Sequence, residues 1–103
     1  MTDTTCFQRP DFHSHSLASD GVLSPTDLVA RAADHGVDAL ALTDHDTLAG
    51  LPEARRAADR HGITLVPGIE LSVQCGAREI HVLGLWVDPE APVLVERVNR
   101  QLE

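Results

Sequence analysis

The segment Val37 to Thr43, VDALALT, constrains the fold most strongly. It is a short, nearly continuous apolar run set between a helix-stopping glycine, Gly36, and the polar turn TDHDT. A run of that length and character is expected of a β-strand covered on both faces, as in a parallel sheet flanked by crossover helices. The surrounding punctuation supports the same frame. Ser24 suits an N-cap, Pro25 the first helical position and Asp27 a capping box. Leu28, Val29, Ala32 and Ala33 mark one apolar face of the helix that Gly36 ends. Pro52 opens a second helix with Leu51, Ala54, Ala57 and Ala58 inward, closed by Gly62, and Ile63 to Val66 forms the next buried strand.

Before the first helix, Pro10 to Ser16 reads as a short strand entering a turn at Ser19-Asp20-Gly21. After Pro67-Gly68, IELSV and REIHVLGLWV form two extended segments joined at Cys75-Gly76-Ala77 as a hairpin. From Pro89 onward, Val93, Leu94, Val98 and Leu102 mark a third helix. The resulting order, β-α-β-α-β-β-α, predicts an α/β fold with a mainly parallel sheet over a single unit, residues 1–103. The pattern breaks off within the last helix without a stop signal. The chain is therefore expected to be a fragment, since a closed parallel barrel needs roughly 200 or more residues and these strands make only an open sector.

The polar residues that bear on function fall where these strands end. His13 and His15 close the first strand; two positions apart, they present imidazoles to the same side. His45 follows the second strand, Glu70 the third, and His81 lies on the hairpin. Ligands collect at the C-terminal ends of strands in parallel α/β folds, so this recurrence marks a candidate metal site where a lone H-x-H pair would not. Imidazole and carboxylate without thiolate suit borderline-to-hard divalent ions such as Mn²⁺, Zn²⁺ or Fe²⁺. Glu70, with two oxygens, is the candidate bridging ligand. Asp44 and Asp46, flanking His45, are expected to orient imidazoles from behind, although Asp46 equally suits a solvated turn. His35 and His61 precede helix-ending glycines and are read as structural.

Composition excludes several classes. The two cysteines, Cys6 and Cys75, form no C-x-x-C pair, so neither a disulfide framework nor a thiolate zinc knuckle is indicated. No apolar run approaches the roughly 18 residues of a membrane span and no signal-peptide pattern opens the chain, so a soluble, cytoplasmic protein is expected. A formal charge of −8 opposes binding to duplex DNA and suits a metal-binding protein. With only Phe7, Phe12 and Trp86 as aromatics, a base-stacking surface is not expected.

The segments DFHSHSLASDG, LTDHDT, PGIELS and EIHVLGL resemble, in order and spacing, the motifs of the PHP (polymerase and histidinol phosphatase) superfamily. The opening and IHVLGL are most similar to its stand-alone branch of 3′,5′-nucleotide bisphosphate phosphatases, related to a 5′-to-3′ exoribonuclease. The resemblance implies the N-terminal sector of a distorted (β/α)₇ barrel with two or three metal ions, commonly manganese. His13, His15 and Glu70 would hold one ion, Asp20 and His45 would help hold a second, and Glu70 and His81 would contribute to a third. Glu70, Asp20 and His45 are the implied catalytic set. The implied substrate is a small phosphorylated nucleotide or short 5′-phosphorylated RNA. A histidinol-phosphate or phosphotyrosine phosphatase, or a non-catalytic module, stands as the alternative. Oligomerisation through open sheet edges is a further expectation.

Overall fold

The computed structural model describes residues 7–101. Its elements run β1 (Pro10–Ser14), α1 (Pro25–Asp34), β2 (Ala39–Leu42), α2 (Leu51–His61), β3 (Thr64–Cys75), β4 (Arg78–Leu85) and α3 (Pro92–Gln101). They form one four-stranded sheet in the order β1-β2-β3-β4. The first two pairings are parallel and the last is antiparallel. The mixed α/β sheet is curled, and Phe12 on β1 reaches Trp86, just past β4, at a ring-centroid distance of 5.5 Å. This is the open barrel sector expected from the strand order. Leu102, which entered the reading of the third helix, and Cys6, which entered the reading of the cysteines, lie outside the described residues.

Local chemistry sets the boundaries. The Ser24 hydroxyl accepts from the Asp27 N–H at 3.0 Å, satisfying one of the unpaired donors that open α1. His35 caps the other end, its ring Nδ1 donating to the Arg31 carbonyl at 2.8 Å, and Gly36 follows at φ 79°. Gly62 ends α2 at φ 71°, a left-handed position glycine takes without a Cβ clash. At the far end of the sheet Gly76 turns the hairpin at φ 63°.

The core lies between the sheet and the first two helices. Val29 from α1, Leu40 and Leu42 from β2, and Leu51, Ala54, Ala57 and Ala58 from α2 form one buried cluster. Side chains alternate across a strand, so β2 sends its leucines to the helices and its alanines, Ala39 and Ala41, to the other face. Both alanines are fully buried. Glu53 ties the helices together, its carboxylate accepting from the N–H and the hydroxyl of Thr26, both at 2.9 Å. Those two bonds from Thr26 hold the Glu53 carboxyl below its usual range.

Three boundaries differ from expectation. β1 stops at Ser14, with an irregular register between Asp11 and Ser14, so His15 stands just past the strand. α3 begins at Pro92 rather than Pro89. Asp88 folds the intervening turn by accepting from the N–H of Glu90 at 2.9 Å. Most consequentially, Pro67-Gly68 does not interrupt β3. A Pro-Gly turn of type II needs positive φ at the glycine, and Gly68 is not among the positive-φ residues. Its missing side chain serves packing instead. A Cβ there would meet Thr43 Cγ2 at 2.7 Å and the Leu42 carbonyl oxygen at 3.1 Å. β3 therefore runs unbroken, parallel to β2 as far as Pro67 and antiparallel to β4 from Gly68. Among the described residues, no helix is long and apolar enough to cross a membrane.

Candidate metal centre

Glu70 sits just beyond the point where β3 changes partners. A single parallel bridge joins it to His45 beyond the end of β2. The Glu70 N–H donates to the Asp44 carbonyl at 3.1 Å, and the Asp46 N–H donates to the Glu70 carbonyl at 2.9 Å. The backbone is thus pinned on both sides, and the Glu70 residue is only 5% exposed.

Imidazoles from three other parts of the chain converge on that carboxylate. Oε1 lies 2.8 Å from His13 Nε2 and 2.9 Å from His15 Nε2, while Oε2 lies 2.8 Å from His81 Nδ1 and 3.9 Å from His45 Nδ1. Asp20 reaches in from the loop after β1, with Oδ1 3.0 Å from His15 Nδ1 and Oδ2 3.1 Å from His45 Nε2. Burial pushes the Glu70 carboxyl up. The hydrogen bonds from His13, His15 and His81, with the charge of His45 behind them, outweigh it and bring the pKa down to about 2. His81 is moved the other way: Glu79, bonded to its Nε2 at 2.9 Å, and then Glu70 hold its imidazole above the usual histidine range.

The six residues His13, His15, Asp20, His45, Glu70 and His81 come together, and their donors sort into three overlapping triads. These are His13, His15 and Glu70; His15, Asp20 and His45; and His45, Glu70 and His81. Within each triad all donor atoms lie within 4.8 Å of one another. Donors around a tetrahedral ion with bonds of about 2.1 Å stand roughly 3.4 Å apart, so these spacings are of the right size for divalent ions. The donor chemistry fits as well, with four imidazoles and two carboxylates on a group of residues that share His15, His45 and Glu70. Such a cluster is compatible with metal binding.

Asp44 and Asp46 are placed differently from the expectation that they orient imidazoles. Asp44 is buried and accepts from the Ser16 N–H at 2.6 Å, the Ser16 hydroxyl at 2.7 Å and the Ser19 hydroxyl at 2.8 Å. It clamps the loop that carries Asp20. Asp46, at φ 53°, accepts from the Ser72 N–H at 2.8 Å and fixes the His45 turn to β3. Two residues bearing on the site escaped the sequence reading. Ser16 gave no signal beyond its place in the H-S-H-S run. Glu79 could have been found from its i, i+2 spacing to His81, which puts both on one face of β4. Cys75 is exposed beside the hairpin turn and belongs to none of the triads.

Curled parallel strands ending in a shared histidine and carboxylate cluster define the class: an α/β barrel sector with a candidate polynuclear metal site. The family is narrower. The PHP domain model matches residues 11–100, and the chain belongs to that family. It is 50% identical over 91 residues to a 5′-3′ exoribonuclease of Haemophilus influenzae, covering 88% of this chain and 33% of that protein. It is 49% identical over 84 residues to a 3′,5′-nucleoside bisphosphate phosphatase of Chromobacterium violaceum, covering 82% and 30%. Among solved structures, an amidohydrolase from Chromobacterium violaceum with bound sulfate and no metal superposes with a TM-score of 0.86 at 44% identity, over 90% of this chain and 33% of that one. The chain spans about a third of the length of the curated relatives it matches.

Proposed function

We propose that this chain contributes the metal-holding sector of a hydrolase that removes a phosphate from a phosphomonoester. The substrate proposed is a 3′,5′-bisphosphonucleotide, attacked at its 3′-phosphate, with short 5′-phosphorylated RNA as a second one. The observation that carries this reading is the buried Glu70 carboxylate, faced by four imidazoles in overlapping triads. A carboxylate so placed suits bridging between ions, and similarity to a bisphosphate phosphatase and an exoribonuclease supports a phosphoester substrate.

Two or three divalent ions are proposed, manganese first, with His13, His15 and Glu70, then His15, Asp20 and His45, then His45, Glu70 and His81 as their holders. When bound, they would supply an activated water and neutralise the phosphoryl oxygens. The protein's own part is positioning. Asp44 fixes the Asp20 loop, the bridge to Glu70 fixes His45, and Glu79 holds the outer nitrogen of His81. The nearby hydroxyls are already committed: Ser14 donates to the Ala41 carbonyl at 2.6 Å, Ser16 and Ser19 donate to Asp44, and Thr43 donates to the Ser14 carbonyl at 3.1 Å. That commitment favours water over a side-chain nucleophile.

Glu70→Gln tests the reading. The variant keeps the shape but loses the charge that would bridge ions. Elemental analysis is expected to show bound manganese in the wild-type chain and little in the variant. Phosphate release from adenosine 3′,5′-bisphosphate is expected to fall about a hundredfold or more, since even supporting residues of metal sites are worth 10–100-fold. Unchanged metal content in Glu70→Gln would remove the bridging role.

A further inference from the structure

β1 carries an irregularity on which the H-x-H pair depends. Asp11 pairs with Leu40 and Ser14 with Leu42, so three steps along β1 answer two along β2. One residue is extra, which makes a β-bulge, a feature over-represented next to active sites and rare in parallel pairs. Paired residues send their side chains to the same face of a sheet. Asp11 and Ser14 therefore share the face of Leu40 and Leu42, which belong to the cluster packed against the helices. In keeping with this, Asp11 borders a cleft beside α1 together with Leu28, Ala32 and Leu40.

Glu70 lies on the other face. Val66 pairs with Ala41, whose side chain points away from the helices, and Glu70 follows Val66 by four residues on the same strand. Strict alternation from Asp11 would put His13 on the helix side, out of reach of that carboxylate. The bulge prevents this, because Phe12 and His13 both turn to the Glu70 face. Phe12 meets Trp86 at a ring-centroid distance of 5.5 Å, and His13 Nε2 lies 2.8 Å from Glu70 Oε1. The two also line one cleft with Leu83 and Leu85, which pair with Glu70 and Gly68. Alternation then resumes at Ser14 and brings His15 to within 2.9 Å of the same carboxylate oxygen.

The bulge has a clasp at each end. Asp11 Oδ1 accepts from the His13 N–H at 3.1 Å, a side-chain turn of the kind that Asp and Asn form with the backbone two residues on. Thr43 fixes Ser14, its Oγ1 accepting from the Ser14 N–H at 3.2 Å and its N–H donating to the Ser14 carbonyl at 2.8 Å. Asp11 itself belongs to none of the three triads.

We propose that Asp11 is a positioning residue of the metal centre: it holds the bulge that turns His13 from the helix side to Glu70 and so completes the triad of His13, His15 and Glu70. This rests on the reading of the cluster as a metal centre and adds to it a residue that touches no ion. The requirement is a short side chain with an oxygen acceptor two residues before the histidine. Asparagine supplies it, alanine lacks it, and glutamine carries the same amide one carbon too far along.

The experiment reads the imidazoles first without metal. Long-range proton–nitrogen NMR spectra of the metal-free chain report the tautomer and hydrogen bonding of each ring. In the wild-type chain His13 is expected to be held with its proton on Nε2, toward Glu70. Asp11→Ala and Asp11→Gln are expected to release that ring into tautomer exchange while His45 and His81 keep their signals, and Asp11→Asn to retain the wild-type spectrum. Mn²⁺ affinity at the His13 triad is expected to fall about 10–100-fold in the alanine and glutamine variants, the scale for residues behind metal ligands, and to recover in Asp11→Asn. An unchanged His13 ring in Asp11→Ala and Asp11→Gln, an equal disturbance of all the cluster imidazoles, or an asparagine variant that behaves like glutamine overturns the role of Asp11. Asparagine and glutamine differ by one methylene, so their comparison decides even where the alanine variant fails to fold. A wild-type chain that takes up no Mn²⁺ would instead count against the metal reading, while the His13 spectra still decide the role of Asp11.

Discussion

β2 and β4 belong to the same sheet and are both rich in aliphatic residues, but they are buried very differently. Ala39 to Leu42 on β2 are no more than 1% exposed, whereas Ile80, Val82 and Leu83 on β4 stand 44%, 46% and 42% exposed. β2 has a strand on either side and two helices packed over its leucines. β4 has a ladder partner only in β3 among the described residues. Apolar content is therefore a poor guide to burial in this chain, and the crossover helices decide where the core forms. The candidate metal site takes residues from both regions, with His45 next to the covered strand and His81 on the exposed one. Glu70 is the carboxylate that joins them.

The largest expected effect tests the covered region. Leu42→Ala empties a site inside the helix-facing cluster and is expected to cost about 2–5 kcal/mol in denaturant unfolding. A loss under about 1 kcal/mol would mean that the core does not rest on β2. Next comes Asp44→Ala, which strands the buried Ser16 N–H and the hydroxyls of Ser16 and Ser19. It is expected to cost about 1–3 kcal/mol and to weaken metal uptake at Asp20. Full stability with normal metal content would release Asp44 from its clamping role.

A smaller effect depends on pH. The Glu53 carboxyl is held low by Thr26, so the stability it adds is complete above its unfolded pKa near 4.5 and is lost as pH falls through its lowered folded value. Unfolding midpoints of wild type and Glu53→Gln are expected to differ at pH 6 and to converge in strong acid. A gap that widens on acidification contradicts the assigned sign. The smallest effect belongs to β4: Val82→Thr, on an exposed strand position, is expected to change stability by no more than about 0.5 kcal/mol. A cost near that of Leu42→Ala would erase the contrast between the strands.

Much of this was legible in the sequence because it is encoded locally. Ser24, Gly36 and Gly62 mark helix ends through their own backbone and capping chemistry, and Gly76 marks the hairpin in the same way. Of the six candidate ligands, His13, His15, His45 and Glu70 were legible because periodicity places them where the parallel strands end, His81 from its place on the hairpin, and Asp20 only through the resemblance of the opening motif. The role of Asp44 was not legible, since its partners Ser16 and Ser19 lie 25 to 28 residues away and meet it only when β1 and β2 pair. The continuity of β3 through Pro67-Gly68 was hidden for a similar reason. The pair has a turn-forming composition, and only the close approach of Thr43 and Leu42 shows why the glycine is needed.

The change of partner along β3 has a further consequence. Strand side chains alternate with period two, so a slip of one residue in either ladder would turn Glu70 outward and bring Ile69 or Leu71 toward the histidines. Neither aliphatic residue can bind an ion or accept a bond from an imidazole. The assembled cluster is thus an error check on the sheet: it can form only when the parallel register set by β2 and the antiparallel register set by β4 are both correct.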